Sequence, residues 1–461
     1  MNSIKGNDLL ALGYVPGKAL GIALRIASNS KHTTREEALE MLKSVLSDPQ
    51  SFIGHPLYDK LADALIPKVD LTKRDLNESG VPFQTYGEEM IEQGAMEQMR
   101  VAARLPVSVR GAIMPDGHAG YGLPIGGVLA TENAIIPYGV GVDIGCMMAL
   151  SIFEAPSNYI DRHVSNLRQA LIDNTRFGPV EVHAKPSDSA VFDRKEFDEI
   201  SFLKNWKDKA HKQLGTSGSG NHYCELGHVK LYANNSLSLP EGEYVGIISH
   251  SGSRGMGANV AKHYTDLAMK SCVLPSEARH LAWLDMNTEV GQEYWLAMNL
   301  CADYASACHH DIHKRLAKAI GMSPIFQLEN RHNLCWKETH DGRELYVHRK
   351  GATPAGEGVL GIIPGSMATE AFIVRGKGNP NSLNSASHGA GRRMSRTAAK
   401  NTFSRKMLND FLKEKQVTLI GADVDESPMA YKDIYEVMEK QADLVEIMGT
   451  FVPRVVRMAE D

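Results

Sequence analysis

Histidine, cysteine and carboxylate side chains recur beside glycine-rich turns through much of the chain. Five of them belong to types that bind metal ions: Asp143 and Cys146 in GVGVDIGC, His222 in GSGNHYCE, His250 in HSGSRG and His332 in RHNLCW. A mixed set of thiolate, imidazole and carboxylate donors suits Mn²⁺, Zn²⁺ or Co²⁺ better than Mg²⁺ or Ca²⁺ alone. One thiolate could bridge two ions, and paired ions commonly clamp phosphoryl or nucleotidyl transfer. These residue types therefore predict a metal-assisted transfer reaction.

Further polar residues occupy turns of the same kind. Asp116 and His118 lie in MPDGHAGYGLPIGG, Asn221 and Glu225 lie in GSGNHYCE, and His388 lies in SHGAGRRMS. Taken alone, any such histidine is more often a hydrogen-bonded core residue than a ligand, and a lone buried cysteine behaves as a small apolar side chain. Their joint occurrence beside tight turns favours a functional site.

A second histidine cluster, His309, His310 and His313, falls within one predicted helix. His309 and His313 are four residues apart and could chelate a metal ion from one helix face. The cluster lacks the glutamate of the HExxH motif and has no glycine loop beside it. We therefore interpret it as a solvated helix face.

Glycine is the one residue type in surplus, with 41 of 461 residues. The windows 111–145, 215–257 and 351–391 hold nine glycines each. Glycine is needed where φ is positive or where the backbone approaches another group closely. The three clusters therefore indicate three loop systems around one ligand.

Familiar nucleotide-binding motifs are missing from the sequence. Gly17-Lys18 and Gly376-Lys377 are followed by the wrong residues for a Walker A loop, and G-x-G-x-x-G has no clean match. The KxDG motif of ligases that adenylylate a lysine is missing too. If this protein handles a nucleotide, we therefore expect it to do so by another chemistry.

The elements that must position these residues are amphipathic helices and short strands. Helical periodicity predicts helices over residues 31–48, 197–214, 276–319 (one short and one long), 395–415 and 431–447. Thr33 and Glu36 are predicted to form a capping box, and Ser395 to cap the basic helix. Strands are predicted beside the glycine loops, at Val128–Ala130, Met147–Phe153, Tyr244–Ser249, Val359–Ile363 and Phe372–Arg375.

Helices and strands do not alternate in a βαβ rhythm, so a doubly wound parallel sheet is not expected. We expect an α+β fold with mixed β-sheets and helices around a cleft built from loops. Length alone favours about three domains. Since no repeat or Pro/Ser/Gly linker divides the chain, we predict one domain over residues 1–461.

Composition bounds the class of protein. With 43% apolar and 23% charged residues, the chain is an ordinary globular one. It has no apolar run long enough for a membrane span and no signal-peptide core, and its six cysteines form no CxxC pair. We therefore expect a cytoplasmic protein with no membrane partner.

The net charge of −5 hides a block with a local charge of +8 between His348 and Lys415. That block is either a solvated helix surface or a footprint for phosphate or nucleic acid.

At these segments the sequence resembles the RtcB family of RNA-splicing ligases. Over roughly residues 100–450 the family's blocks occur in order: MPDGHAGYGLPIGG, GVGVDIGC, GSGNHYCE, HSGSRG and VHRKGATPAGEG…IPGSM…SHGAGRRMSR. Residues 1–100 match only weakly. The resemblance implies GTP- and Mn²⁺-dependent joining of RNA with a 3′-phosphate or 2′,3′-cyclic phosphate end to RNA with a 5′-hydroxyl end, in RNA repair or tRNA splicing. It implies RNA and GTP as partners, and we expect a monomer.

Matched residue by residue, the resemblance implies two Mn²⁺ ions that share one thiolate. Asp143, Cys146 and His222 would hold one ion, and Cys146, His250 and His332 would hold the other. His388 would be the nucleophile that takes GMP from GTP. The nucleotide site would include Asn221, His222, Glu225, His332, Asn333, Pro364, Gly365, Ser366, Met367, His388, Gly389, Ala390, Gly391 and Tyr431.

Backbone N–H groups of the turns at Gly389–Gly391 and Gly365–Met367 could hold phosphates. Arg392, Arg393 and Arg396 lie beside His388, where RNA phosphates would pass, although ordinary helix-surface charge explains them equally well. Imidazole can attack a phosphorus atom if metal ions and basic groups neutralise the developing charge.

The sequence departs from the family pattern in three places. The family's guanine-binding lysine near the C-terminus has Arg457 as its nearest counterpart here. Cys308-His309 stands where the family commonly has Asn-Arg, and Ala371 replaces a serine after PGSM. These departures leave the metal ligands and the nucleophile in place but bear on nucleotide selectivity and RNA-end handling.

Two alternatives stay open at this point. A dinuclear metal phosphoesterase could trim RNA 3′ ends without ligation and without using His388. A non-catalytic RNA-end binder with a decayed nucleotide pocket would bind RNA in a salt-sensitive way, without turnover. A covalent GMP adduct that depends on His388 separates the ligase from both.

Overall fold

The structure is a computed structural model that describes residues 4–29, 34–66, 72–156 and 158–460. Its contacts divide the chain into two compact units, one within residues 1–71 and the other within residues 72–461. All the candidate site residues lie in the second unit. The single domain predicted over residues 1–461 stays a prediction. Within the described residues, no helix combines the length and apolarity needed to cross a membrane.

The first unit is helical, with α1 (Gly6–Ala11), α2 (Lys18–Asn29), α3 (Arg35–Ser47) and α4 (Asp59–Leu65). Leu9, Leu42 and Leu61 are among the side chains buried in its core.

The capping box of α3 is formed one residue later than predicted. The Thr34 hydroxyl accepts a hydrogen bond from the Glu37 N–H at 3.3 Å, and the Thr34 N–H donates to the Glu37 carboxylate at 2.8 Å. Thr33 lies outside the described residues. Consecutive threonines and consecutive glutamates offer the same S/T-x-x-E spacing twice, so spacing alone cannot choose the register.

The second unit contains most of the helices. They are α5 (Gln93–Ala103), α6 (Pro137–Val140), α7 (Tyr159–Asn174), α8 (Glu196–Glu199), α9 (Ser201–Lys204), α10 (Lys207–Gln213), α11 (Arg254–Ser271), α12 (Glu289–Ile320), α13 (Arg396–Thr402), α14 (Arg405–Glu414) and α15 (Ile434–Glu439). A short 3₁₀ helix, Ser276–Leu281, precedes α12, as the prediction of one short and one long helix required.

The strands also belong to the second unit. They are β1 (Phe83–Thr85), β2 (Ser108–His118), β3 (Ile125–Thr131), β4 (Ala134–Ile135), β5 (Met147–Phe153), β6 (Tyr223–Leu231), β7 (Gly242–Ser251), β8 (Leu284–Asp285), β9 (Phe326–Arg331), β10 (Asn333–His340), β11 (Arg343–Lys350), β12 (Ala352–Pro354), β13 (Leu360–Pro364), β14 (Ala371–Gly376), β15 (Ser385–Ser387), β16 (Thr418–Ile420) and β17 (Val445–Met458). Each of the five predicted strands overlaps one of these.

Two sheets dominate the second unit. One has the strand order β1-β2-β3-β11-β10, and the larger has the order β13-β14-β17-β6-β7-β5-β9, with β16 added beside β17. Among the described strands, β1–β2 and β16–β17 pair in parallel and the other pairs are antiparallel. The α+β class with mixed sheets is confirmed.

Apolar side chains cover both faces of the larger sheet, which is why β5 is apolar at every position except Ser151. On one face, Phe153 packs with Leu171 of α7 and Leu316 of α12. On the other face, Leu150 joins a separate cluster of strand residues. The two edge strands also meet, because the Asn330 side chain in β9 bonds both the N–H and the carbonyl of Ile362 in β13, at 2.9 and 3.3 Å.

Two predicted helices are each broken in the structure. Residues 197–214 form α8, α9 and α10, because Ile200 adopts an extended conformation with φ −89° and ψ 108°. Residues 395–415 form α13, capped by Ser395 as predicted, and then α14, capped by Ser404. Apolar spacing continues across each break, so periodicity alone does not reveal the breaks.

The acidic helix predicted over residues 431–447 is wrong beyond its first part. Only Ile434–Glu439 is helical, and a strand begins at Val445. β17 lies between β14 and β6 and pairs with both. This double pairing outweighs the local helical pattern, as tertiary context commonly does.

Candidate metal and nucleotide site

Strand register brings the predicted metal ligands to one edge of the larger sheet. His250 of β7 lies opposite Tyr223 of β6. Cys146 and His222 immediately precede β5 and β6, and His332 immediately follows β9, the partner of β5. One antiparallel strand begins beside the point where its neighbour ends. The ligands therefore meet at the same ends of the strands although they are far apart in the chain.

The five predicted ligands form two sets that share Cys146. Its Sγ lies 3.2 Å from Nε2 of His250 and 3.5 Å from Nε2 of His222. The Asp143 carboxylate lies 2.9 Å from Nε2 of His222, and Nε2 of His332 lies 3.2 Å from Nε2 of His250. Within each set of three residues, the candidate ligand atoms all lie within 4.8 Å of one another.

Neighbouring backbone groups orient these ligands. Nδ1 of His250 lies 3.0 Å from the Asn221 carbonyl oxygen, so Nδ1 carries the proton and the Nε2 lone pair faces the cluster. Asn333 donates to the Asp143 carbonyl at 3.2 Å and accepts from the Gly351 N–H at 2.8 Å. Asn333 thus ties the metal-ligand loop to the end of β11.

Two glycines permit the close approach of backbone to the ligands. A Cβ atom on Gly252 would lie 2.0 Å from a carboxylate oxygen of Asp143. A Cβ atom on Gly218 would lie 2.1 Å from Nδ1 of His222. Any side chain at either position would displace a ligand, which accounts for glycine at these points of HSGSRG and GSGNHYCE.

The electrostatics of the cluster suit a bound cation. Burial lowers the pKa of His250 to about 3 and that of His332 well below its usual value, so both rings keep a free lone pair. Burial, with the neighbouring Asp143 charge, raises the pKa of Cys146, and a metal ion would displace its proton. Burial alone would raise the pKa of Asp143, but its hydrogen bond with His222 lowers it. This donor set fits a borderline divalent ion such as Mn²⁺ or Zn²⁺.

His388 lies beside the cluster and is held by a buried carboxylate. Its Nδ1 lies 2.7 Å from Oδ2 of Asp116, and its backbone N–H donates to the same oxygen at 3.1 Å. The His388 and His332 rings have centroids 5.0 Å apart. Because Asp116 engages Nδ1, Nε2 is the nitrogen left with a free lone pair. The loop contact depends on Gly391, which has φ +72° and where a Cβ would lie 2.2 Å from the Asp116 carbonyl oxygen.

A cavity opens in front of His388, and His250 contributes to its wall. Ten of the predicted nucleotide-site residues line it: Asn221, Pro364, Gly365, Ser366, Met367, His388, Gly389, Ala390, Gly391 and Tyr431. Glu225 does not itself line the cavity, but it lies two residues along β6 from Tyr223, which does, and on the same face of the strand. Glu225 is 3% exposed.

The two predicted phosphate-binding turns differ in what they can offer. The N–H groups of Gly389, Ala390 and Gly391 donate to no other described residue, so they can donate hydrogen bonds to the oxygen atoms of a ligand. In the other turn, the Gly365 N–H already donates to the Glu370 carbonyl at 2.9 Å. The neighbouring Ser366 N–H donates to the Thr369 hydroxyl at 2.6 Å. The second turn therefore offers less to a phosphate than its sequence predicted.

Acidic partners partly neutralise the basic block around His388. Arg396 pairs with Asp425 at 2.7 Å and also with Glu426. The Arg392 guanidinium lies 5.2 Å from the Tyr431 ring centroid, and the Tyr431 hydroxyl donates to Glu426. Arg392 and Arg396 line the cavity. Both side chains therefore reach the cavity, and Arg396 is exposed, as Arg393 is.

Arg457 does not take the place of the family's guanine-binding lysine. Its guanidinium donates to the carbonyls of Leu171 and Ile172 at 2.8 and 2.7 Å, at the C-terminal end of α7. Side chains alternate along a strand, so it is the next residue, Met458, that lines the cavity.

The loop that carries Asp116 is held by Lys432, a residue that the sequence motifs do not include. The Lys432 ammonium donates to the carbonyls of Pro115 and Gly117, at 3.0 and 2.7 Å, on either side of Asp116. The position of Lys432 directly after Tyr431 was the available signal, but proximity to the Asp116 loop depends on the fold.

The interpretation of His309, His310 and His313 as a solvated face is wrong for two of the three. His309 and His313 are 0% and 3% exposed, and the Ser249 hydroxyl links Nδ1 of His309 to Nε2 of His313 at 2.6 and 2.7 Å. Burial lowers their pKa values to about 4 and about 3. Only His310 faces solvent, beside Glu329. The buried pair packs behind β7, which covers it.

Comparison with known proteins agrees with these motifs. A family model described as tRNA-splicing ligase RtcB matches residues 98–459. The RNA-splicing ligase RtcB1 of Escherichia coli strain ATCC 25922 is 36% identical over 399 residues, covering 78% of this chain and 93% of that protein. The tRNA-splicing ligase RtcB of Thermococcus kodakarensis is 29% identical over 452 residues, covering 81% of this chain and 92% of that protein. The chain belongs to the RtcB family.

Proposed function

We propose that this protein is a GTP- and Mn²⁺-dependent RNA ligase. It joins RNA 3′-phosphate or 2′,3′-cyclic phosphate ends to 5′-hydroxyl ends through a guanylate on His388. The observation that carries the proposal is the position of His388. It lies between the buried Asp116 and the metal-ligand cluster, and it lines the same cavity as His250. The names of the relatives, RNA-splicing and tRNA-splicing ligases, support the same class of reaction.

In the first step, Nε2 of His388 attacks the α-phosphorus of GTP. The bond from that phosphorus to the β-phosphate oxygen breaks, and pyrophosphate leaves. Asp116 accepts the hydrogen bond from Nδ1 and stabilises the positive charge that develops on the ring. The free N–H groups of Gly389–Gly391 and the Arg392 guanidinium offset negative charge on the phosphate oxygens. Mn²⁺ held by the cluster would supply Lewis-acid stabilisation of those oxygens.

In the second step, an oxygen of the RNA 3′-phosphate attacks the phosphorus of the His388 guanylate. The P–N bond breaks, Nε2 regains its lone pair, and the RNA end carries GMP. In the third step, the 5′-hydroxyl oxygen of the other RNA attacks the 3′-phosphorus. GMP leaves, and the hydroxyl proton passes to solvent. A cyclic phosphate end first needs water to open its ring.

Guanine recognition is proposed for Tyr431 and Glu225. Tyr431 lies in the cavity wall with its ring under Arg392, and it can stack on a base. Burial raises the pKa of Glu225, because an ionised carboxylate without partners is costly there. The N1–H and 2-amino group of guanine are donors that would favour the ionised form.

The test is a labelling experiment with α-labelled GTP and Mn²⁺. The expected result is labelled protein whose bond is labile to acid and stable to base, as for phosphate on a histidine nitrogen. Two controls are expected to stay unlabelled: His388→Ala with the same GTP, and the unaltered protein with γ-labelled GTP. Equal labelling of His388→Ala would overturn the proposal, as would release of phosphate from RNA ends without any joining.

A further inference from the structure

A cluster of aromatic rings lies at the surface of the second unit. The side chain of Tyr121 is 68% exposed. Its ring centroid lies 6.4 Å from that of Tyr138 and 6.2 Å from that of His280, nearly edge-on to both. Tyr138 and His280 lie 5.2 Å apart at a smaller angle. About two thirds of Tyr121 is therefore accessible to solvent and is free to contact a ligand.

The loop that carries Tyr121 is held firmly. The Gly120 N–H donates to the Gln98 side-chain oxygen at 3.0 Å, and the Gln98 amide donates back to the Gly120 carbonyl. The Lys350 ammonium donates to the Tyr121 carbonyl. An exposed ring on a tethered backbone loses little freedom when a ligand stacks on it, which favours binding.

The aromatic cluster lies close to the reacting histidine. His118, three residues before Tyr121, lines the same cavity as His388. Three residues of chain span at most about 11 Å. On the other side, Lys350 directly precedes Gly351, where a Cβ would lie 3.1 Å from Cε1 of His388. An RNA strand whose end reaches His388 can therefore also reach the rings of Tyr121, Tyr138 and His280.

Positive charge accompanies the rings. The Lys350 amine lies 5.5 Å from the centroid of the Tyr138 ring, but it is 8% exposed and burial lowers its pKa to about 7, so the exposed positive charge is that of Arg279. Arg279, next to His280, is exposed and forms no ion pair with the rest of the described chain. Exposed aromatic faces together with cations are the recognition elements of single-stranded nucleic acid, in which bases stack and phosphates meet the charges.

We propose that Tyr121, supported by Tyr138 and His280, is a stacking subsite for an unpaired base of the substrate RNA, within a few nucleotides of the reacting end. The inference rests on the proposed function, because that reaction brings a single-stranded RNA end to His388. Removing one stacked base contact typically lowers affinity by about 5- to 150-fold.

The test measures equilibrium binding of short, labelled single-stranded RNA to the metal-loaded full chain at fixed salt. One RNA carries a 3′-phosphate and the other a 5′-hydroxyl, so that the two arms identify which strand uses the subsite. Tyr121→Ala is expected to weaken binding of at least one of them within that range, and Tyr121→Phe to retain it. Tyr244→Ala, at the opposite end of β7 from His250, is the matched control with unchanged affinity.

A second measurement separates stacking from a general loss of structure. A series of RNAs, each with one abasic nucleotide, is expected to contain a position that weakens binding to the unaltered protein but not to Tyr121→Ala. If RNA binds and Tyr121→Ala binds equally well, the inference is overturned while the proposed function stands. If the unaltered protein neither forms the GMP adduct nor binds RNA, the proposed function fails and the inference falls with it.

Discussion

Nδ1 of His388 lies 2.7 Å from Oδ2 of Asp116, a carboxylate that is fully buried. The two residues are 272 positions apart in the chain. The other oxygen, Oδ1, has no hydrogen-bond partner among the described residues. Asp116 therefore serves His388 almost exclusively, and it decides which ring nitrogen can react.

Replacing this carboxylate should slow GMP transfer. In Asp116→Asn, the amide can still accept from Nδ1 but no longer stabilises positive charge on the ring. We expect the rate of adduct formation to fall by roughly 10²- to 10⁴-fold, because a carboxylate hydrogen-bonded to a catalytic histidine typically contributes a rate factor of that size. Single-turnover labelling with α-labelled GTP measures the rate, and Mn²⁺ binding should be unchanged. An unaltered rate would show that Asp116 only packs the loop.

Metal stoichiometry should reveal the shared thiolate. Cys146→Ser removes the donor common to both ligand sets, so we expect loss of tight binding at both sites. Asp143→Asn alters only one set and should leave about one ion bound. Equilibrium dialysis followed by elemental analysis gives the count, and circular dichroism checks the fold. Equal loss from both variants would contradict two sites bridged by Cys146.

Nucleotide selectivity should depend on Glu225 and not on Arg457. In Glu225→Gln, the acceptor for guanine donors becomes a mixed donor and acceptor, and we expect the preference for GTP over ATP in adduct formation to fall by at least tenfold. In Arg457→Met, the carbonyls at the end of α7 lose their donor. That variant should lose about 1–3 kcal/mol of unfolding free energy while keeping its selectivity. The opposite pattern would place guanine recognition at Arg457.

The buried histidines behind β7 should make the protein sensitive to acid. His309 and His313 have folded pKa values of about 4 and about 3, below the ordinary 6.5. Below pH 6.5 the unfolded chain binds protons that the folded protein does not. Stability is therefore full above pH 6.5 and falls as the pH drops toward 4, by up to about 1.4 kcal/mol per pH unit for each histidine.

Chemical denaturation of His309→Gln/His313→Gln between pH 6.5 and 4.5 should give a shallower loss than that of the unaltered protein. His310→Gln, on the same helix, is the control, because the contribution of His310 to stability changes with pH in the opposite direction. The hydrogen bond with Glu329 raises the pKa of His310, so its contribution is present at low pH and is lost as the pH rises. Identical slopes for the double variant and the unaltered protein would refute the assignment.

Local motifs were sufficient to identify the family of this protein and to nominate the residues of its site. Ligand type depends on side-chain identity, and the residues that form each loop, such as Asp143 with Cys146 or His388 with Gly391, lie close together in the chain. Strands bounded by glycine turns were found for the same reason, because alternation and turn residues are local signals.

The contacts that join those loops depend on strand register and on packing between segments that are far apart in the chain. The meeting of Cys146, His250 and His332 depends on the register between β5, β7 and β9, and the contact of Asp116 with His388 depends on how two distant loops pack. The burial of His309 and the direction of Arg457 follow from which surface covers α12 and which face of β17 each side chain takes. Such relationships are properties of contacts between distant segments, and no short stretch of residues encodes them, because the free energy that selects them arises only when the whole unit packs.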